Sequence, residues 1–344
     1  MSLRTTTSPH THTTDTVQKV MLQVIYAMVP GIIAYVYFFG IGVVINIAIA
    51  TVAAIGAEAL ILAIRERPIA PFLSDMSAVV TAILLALALP PYGPWWLPVI
   101  GIVFAIIIAK HLYGGLGFNP FNPAMIGYAT LLISFPKEMT TWYFPQEMLA
   151  HSWNIADAVS YIFNRQLPDA QTIDTITSAT PLDHLKTQIG LARHVTDITA
   201  SSKLYSELGG YGWEWINGGF LLGGFWLVYR RIITWQIPAA LLVTLGGIAL
   251  VFHLIDGGRY VVPLFHWFAG ATMLGAFFIA TDPVTSSTTP RGRIIFGAGV
   301  GLLTYIIRTF GGYPDAIAFS VLLMNSLVPM IDYYTRPRVY GHSR

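Results

Sequence analysis

Two kinds of residue in this chain stand where chemistry leaves few bland explanations: hydroxyl side chains crowded into one polar stretch, and polar side chains set into apolar ones. The polar stretch is DTITSATPLDHLK, residues 174–186. Read locally, Thr177 and Ser178 can close a hydrogen-bonded turn. Thr180 can N-cap a helix whose favoured first position is Pro181, and Asp183 then faces the positive end of that helix dipole. The clearest polar intruder is Glu58, midway through a long hydrophobic run. A charge at that depth in a bilayer costs about 2.5 kcal/mol or more, so such groups face the bundle interior, and many mark ion or proton paths. Asn119 and Asn122 sit in a Gly/Pro-rich break, and Thr281 and Asp282 end another apolar run. Each pair can orient a ligand or coordinate an ion. Helix capping accounts for them as well, because Asn and Asp are favoured at helix ends.

The elements that must position these residues follow from composition. Hydrophobic residues make up 55% of the 344 residues, charged residues only 10%, and mean hydropathy is +0.62. Soluble domains carry about 25% charged residues, so this chain cannot cover a water-facing surface and reads as a polytopic membrane protein. A net charge of +2 is too small to suggest a nucleic-acid partner. With no cysteine, the chain has no disulfide, no thiolate nucleophile and no cysteine-ligated cluster of its own. No metal site is expected either. None of the nine histidines shows the paired spacing of a zinc site, and His10 and His12 lie in a Thr-rich tail read as disordered. The N-terminal segment lacks the pattern of a cleaved signal peptide.

Apolar runs of membrane character cover residues 21–39, 43–64, 76–89, 97–109 and 123–135, then 213–229, 237–255, 262–280, 294–310 and 317–331. The third to fifth fall short of the roughly 20 residues that cross a hydrocarbon core, and Pro90, Pro91, Gly114, Gly115, Pro120 and Pro123 interrupt them. Broken helices persist in a bilayer only where protein or a cavity satisfies the freed backbone, so these segments belong at the core, around a bound group. The expected fold is all-α, with about ten transmembrane helices in two inverted repeats of five. Five spans per half reverse the second half relative to the first. Two weaker echoes agree: GGLGFNP before the fifth run against GGYP before the tenth, and ALPP ending the third against ATDP ending the eighth.

Lys and Arg set the orientation. With the N-terminus inside, inner segments hold 12 of them, Lys110 included, and outer segments hold 7, Arg308 included. Five of those seven fall in one long loop, where the bias counts little. The domains are therefore a cytoplasmic tail (1–20), a first repeat (21–135), a periplasmic loop (136–212), a second repeat (213–335) and a second cytoplasmic tail (336–344). The loop carries 13 of the 36 charged residues, and a polar loop of that length points to function. Trp95, Trp96, Trp142, Tyr143, Trp213 and Trp215 are read as interfacial anchors facing membrane lipid.

Residues 174–180, DTITSAT, resemble the flavinylation motif D-x-x-(S/T)-G-A-T, with Ser178 in place of the common Gly. The entry stretch SDMS (74–77), GGLGFNPFNPA (114–124), TSATPL (177–182) and ATDPVTS (280–286) resemble the NqrB/RnfD family of membrane flavoprotein subunits over nearly the whole chain. The short N-terminal lead favours the RnfD branch. The resemblance implies FMN joined by a phosphoester to Thr180, with Asp174, Thr177, Ser178 and Ala179 as the recognition sequence, read by a periplasmic, Mg-dependent flavin transferase that uses FAD. It also implies a non-covalent flavin, riboflavin or a second FMN, for which Asn119, Asn122 and Asp282 are candidates. Glu58 is the ion-path candidate, and no residue is assigned a catalytic role. The implied setting is the bacterial inner membrane, in an electron-transport complex with subunits RnfA, B, C, E and G that couples ferredoxin/NAD chemistry to ion movement. Lys186 is placed as either a phosphate neutraliser or a solvated surface lysine. An NqrB-like subunit of a sodium-pumping quinone reductase, and a channel or carrier with no covalent flavin, are the alternative readings.

Overall fold

A computed structural model describes residues 16–149, 153–167, 172–313 and 315–337. The tail with Arg4, His10 and His12, Pro314 of the GGYP echo, and Arg338 and Arg344 lie outside the described residues. In the first half the helices are α1 (Val17–Phe39), α2 (Gly42–Ile64), α3 (Ile69–Leu73), α4 (Ser77–Ala88), α5 (Trp96–Val103), which runs on as a π-helical segment Phe104–His111, and α6 (Pro123–Ser134). The loop of residues 136–212 between the halves holds α7 (Pro136–Thr140), α8 (Ile155–Asn164), α9 (Ile173–Ile176), α10 (Pro181–Gly190) and α11 (Val195–Ser201), with strands β1 (Trp142–Tyr143) and β2 (Thr177–Ser178). The second half consists of α12 (Trp213–Tyr229), α13 (Gln236–Ile255), α14 (Pro263–Phe268), α15 (Thr272–Leu274) extended by a π-helical segment Gly275–Ile279, α16 (Pro290–Phe310) and α17 (Ile317–Thr335).

All ten segments expected from hydropathy are helical, in one piece or two, and the fold is all-α. Five of the helices, α1, α2, α13, α16 and α17, have 19 to 23 residues and are long and apolar enough to cross a membrane unaided. α1 begins earlier than hydropathy alone suggests because Thr16 accepts a hydrogen bond from Lys19 N–H at 3.3 Å and caps it. The segment expected over 262–280 breaks between α14 and α15, where Gly270 takes a positive φ of 63°.

Length decides position. The long helices present bulky side chains outward, among them Ile33, Val52 and Leu254. The short ones are internal: Ala78 and every residue from Thr81 to Leu87 of α4 are buried, as is every residue from Thr272 to Ile279. A short helix cannot reach both membrane faces, and its unsatisfied ends must be covered by protein. The two halves join where α1 meets α12. Gly219 and Gly223 there form a small-xxx-small pair, and a Cβ at Gly223 would stand 1.8 Å from the Ala27 carbonyl oxygen. The backbones touch directly, which is how helices associate when lipid offers no hydrophobic drive.

Three expectations need correcting. Thr177 and Ser178 do not close a turn: they form β2, antiparallel to β1, with Ser178 opposite Trp142 and Thr177 opposite Tyr143. Trp213 and Tyr143 are core residues rather than interfacial anchors, whereas Trp215 and Trp95 are exposed. Lys110 and Arg308, counted above among loop cations, lie inside helical segments and are buried.

Candidate functional site

Thr180 is the N-cap of α10. Its Oγ1 accepts a hydrogen bond from Asp183 N–H at 3.2 Å, and Pro181 follows at the first helical position. The cap reading therefore holds locally, and what surrounds it is more informative. Pro181, Leu182 and Leu185 are buried on the membrane half below: Pro181 packs against Gly210, and Leu182 against Gly270 at the break in the eighth segment. Lys186 reaches across to α16, where its Nζ donates to the Gly311 carbonyl and, at 3.4 Å each, to those of Ile307 and Tyr313. Ile307 O also accepts from Gly311 N–H at 2.9 Å, and Gly311 and Tyr313 lie just past the end of α16, so Lys186 covers carbonyls at and beyond that helix end. Lys186 is thus neither a solvated lysine nor free for a phosphate. Burial pulls its pKa below the usual lysine value, against the opposing pull of Asp183.

This docking sets Thr180 on the rim of a cleft of about 940 Å³, open solvent included. Its walls are the C-terminal end of α4 (Leu87, Ala88), α6 (Met125, Tyr128, Leu132), the start of α17 (Ile317, Ala318), and Trp142 and Trp213. Thr180 also borders a smaller neighbouring cleft with Ser178 and Ala179. Asp174 lies in the single turn α9 and Ile176 in the loop's own core, while Thr177 Oγ1 donates to the Ile173 carbonyl at 2.9 Å. Beside α10, His184 Nδ1 lies 2.7 Å from Tyr205 Oη. Burial first and Arg193 second hold the His184 pKa below its usual value, with Asp183 opposing.

A second cleft of about 810 Å³, open solvent included, lies at the opposite end of α4, lined by Ser77, Val80, Thr81 and Leu84 of that helix. α4 runs for 12 residues, roughly 18 Å at 1.5 Å per residue, and the linings of the two clefts approach each other along it at Leu84 and Leu87. Asn119, Asn122, Thr281 and Asp282, which come from both halves, meet on its wall. Asn122 caps α6 through Met125 N–H at 3.3 Å, and its own N–H donates to Asn325 Oδ1 of α17 at 3.2 Å. Asp282 accepts from Val284 N–H and Thr285 Oγ1 at 3.1 and 3.0 Å, so its carboxylate shapes the turn. Neither Asn119 nor Thr281 is a cap. Thr281 Oγ1 donates back to Phe277 O at 2.6 Å. Asn119 Nδ2 donates to Phe121 O at 3.1 Å, while its Oδ1 is buried with no hydrogen-bond partner.

Glu58 is 1% exposed. Its Oε1 accepts from Lys110 Nζ at 2.5 Å and lies 3.0 Å from His111 Nε2. Lys110 donates in addition to Ser77 Oγ at 2.7 Å, and Ser77 to Asp75 Oδ1 at 2.5 Å. Sequence reasoning singled out Glu58 but missed Lys110 and His111. A cation at the end of an apolar run reads as a loop charge unless the wider, π-helical winding that turns it inward is known.

These features define a class: an all-α, polytopic membrane protein whose two halves enclose one cleft at each end of a short central helix. Within that class the chain belongs to the NQR2, RnfD, RnfE family, whose model matches residues 4–341. It is 49% identical over 351 residues to the D subunit of the ion-translocating oxidoreductase complex of Pectobacterium atrosepticum, with both chains covered in full. It is 50% identical to the proteins of the same description from Sodalis glossinidius (99% of this chain, 100% of the relative) and Escherichia coli (100% of both).

Proposed function

We propose that this chain is the D subunit of an Rnf-type ion-translocating oxidoreductase complex, and that it relays electrons through FMN held by a phosphoester on Thr180. Full-length likeness to the D subunits of such complexes supports the first part. The observation that carries the second is the seat of Thr180: a hydroxyl at a helix N-terminus, on the rim of an apolar, aromatic-walled cleft. A phosphate there would meet the positive dipole end of α10, the ordinary setting for a bound anion. The Asp183 N–H that now donates to Oγ1 would serve an ester oxygen equally well.

FMN, when bound, supplies the electron-carrying chemistry. The chain supplies the rest. Thr180 anchors the group, while Pro181, Leu182 and Lys186 hold α10 on the membrane half so that the anchor keeps its place above the cleft. Asp174, Thr177, Ser178 and Ala179 serve as the recognition sequence of a periplasmic flavin transferase. The inner cleft would take riboflavin or a second FMN, with the unpartnered Asn119 Oδ1 accepting from a ring N–H and Asn122 and Asp282 shaping the wall. Partner subunits RnfA, B, C, E and G, ten spans in two inverted repeats, both termini cytoplasmic and residence in the bacterial inner membrane complete the reading.

The test compares protein made with and without a co-expressed flavin transferase, denatured and viewed in a gel under ultraviolet light. Fluorescence that survives denaturation, needs the transferase, is kept by Thr180→Ser and is lost in Thr180→Val is expected. A dark wild-type band beside a labelled control substrate would overturn the covalent-flavin claim and favour a channel or carrier.

A further inference from the structure

Glu58, Lys110 and His111 have no part in holding Thr180, yet they form the most deeply buried ionisable cluster of the first half. All three are at most 3% exposed, and two of them converge on a single oxygen, Glu58 Oε1, at 2.5 and 3.0 Å. The other oxygen, Oε2, is buried without a partner. A buried pair kept only for rigidity is expected to use all its acceptors, because an idle carboxylate oxygen forfeits the hydrogen bonds it had in water. The cluster has an exit: Lys110 Nζ donates to Ser77 Oγ, which donates to the half-buried Asp75 at the start of α4. It also has a connection inward, since Lys110 and Ser77 line the inner cleft. The other charged groups facing it are Asp75 through Ser77, Asp282 across the cleft, and Arg67, whose Nη1 donates to Gly114 O just beyond His111.

We propose that Glu58, Lys110 and His111 form a proton-binding site within the membrane part, loaded through Ser77 and Asp75. With Glu58 ionised, Lys110 protonated and His111 neutral, the cluster carries no net charge. A proton passes from Lys110 Nζ to Glu58. Ser77 Oγ replaces it on the lysine and takes one in turn from the Asp75 carboxyl, which reloads from water. The net change is one proton taken from solvent, no electron transferred, and a charge of plus one beside the cleft. Lysine suits this step because it can release its proton, which arginine does not do in proteins. His111, on the same oxygen, orients the carboxyl as it changes from acceptor to donor.

The site is tested on the full chain in lipid nanodiscs by infrared difference spectroscopy, titrating from about pH 5 to about pH 10. A protonated-carboxyl band that appears as pH falls and is absent in Glu58→Gln is expected. After a jump to low pH, Lys110→Arg, which keeps the charge and the bond to Glu58 but holds its proton, should gain the band many times more slowly than wild type while the protein stays folded; His111→Gln should move its midpoint. A wild-type Glu58 that stays ionised throughout, or a Lys110→Arg protein that gains the band as fast as wild type, would overturn the proposal and leave a structural ion pair. The titration needs no cofactor in either cleft, so its failure would leave the flavin reading untouched.

Discussion

Each half of the molecule buries one cation at the C-terminal end of its fourth helical segment, and the two are held in opposite ways. In the first half Lys110 meets Glu58, a carboxylate within α2, and both side chains are at most 3% exposed. In the second half Arg308 donates to the His266 carbonyl at 2.8 Å and to Asp315 at 3.1 Å, and Asp315 is a loop residue with its side chain 28% exposed. Asp315 is also occupied elsewhere, since it accepts from Ala271 N–H at 2.9 Å and so ties the break before α15 to the start of α17. Arg308 therefore fastens broken backbone with a charge that cannot be removed. Lys110 sits against a carboxylate that can take its proton. One cation is a fastening and the other can be a switch, and the difference lies in which acid faces it and how dry that acid is.

The comparison predicts its largest effect at Glu58. Glu58→Leu alone leaves a buried, unpaired ammonium and should cost about 3–5 kcal/mol, whereas Glu58→Leu with Lys110→Met should recover most of that loss. Thermal unfolding of the three proteins in one detergent reads both. A silent Glu58→Leu would mean that the pair is not desolvated, and the contrast between the halves would fall. A smaller effect is expected in the second half. Arg308→Met strips donors from the His266 and Ala269 carbonyls and the Asp315 carboxylate and should cost about 2 kcal/mol. Asp315→Asn, at a site that water already reaches, should cost about 1 kcal/mol. The same unfolding series ranks them, and a larger loss at Asp315 than at Glu58 would invert the comparison.

The smallest effect belongs to the loop of residues 136–212, where His184 is only half-buried. His184 takes up its proton at a lower pH when folded than the usual value near 6.5. The unfolded loop therefore gains a proton first as pH falls, and stability that is present above 6.5 is lost between that value and the depressed one. Amide hydrogen exchange along α10, taken relative to its intrinsic rate at each pH, should quicken on mild acidification and do so less in His184→Gln, which keeps a hydrogen-bonding group near Tyr205. Unchanged exchange would assign the docking of α10 wholly to Lys186 and the apolar contacts of Leu182 and Leu185.

Much of this architecture was legible from local pattern. Hydropathy places every membrane segment because a backbone in lipid must satisfy itself, so long apolar runs have one outcome. The cap at Thr180 was equally plain, since Thr-Pro before a polar helical run is settled within four residues. The internal place of α4 followed from its being too short to cross; that of residues 272–279 did not, because 262–280 reads as one run until the break at Gly270 is seen. The pairing of Thr177 and Ser178 with Trp142 and Tyr143 was not legible, because two-residue strands leave no alternation to read.

Sequence by itself determined that this is an all-α membrane protein, where its ten apolar segments run, and that Thr180 begins a further, polar helix. Only the tertiary structure decided what those residues face. Glu58 and Lys110 are 52 positions apart, and Asn122 and Asn325 are 203 apart. The four polar residues of the inner cleft come from two halves that no local signal relates. Hydropathy and capping act over a few residues, through solvent and neighbouring backbone. Which acid meets which base is settled by helix packing, where touching backbones such as those at Gly219 and Gly223 bring distant positions within hydrogen-bonding reach.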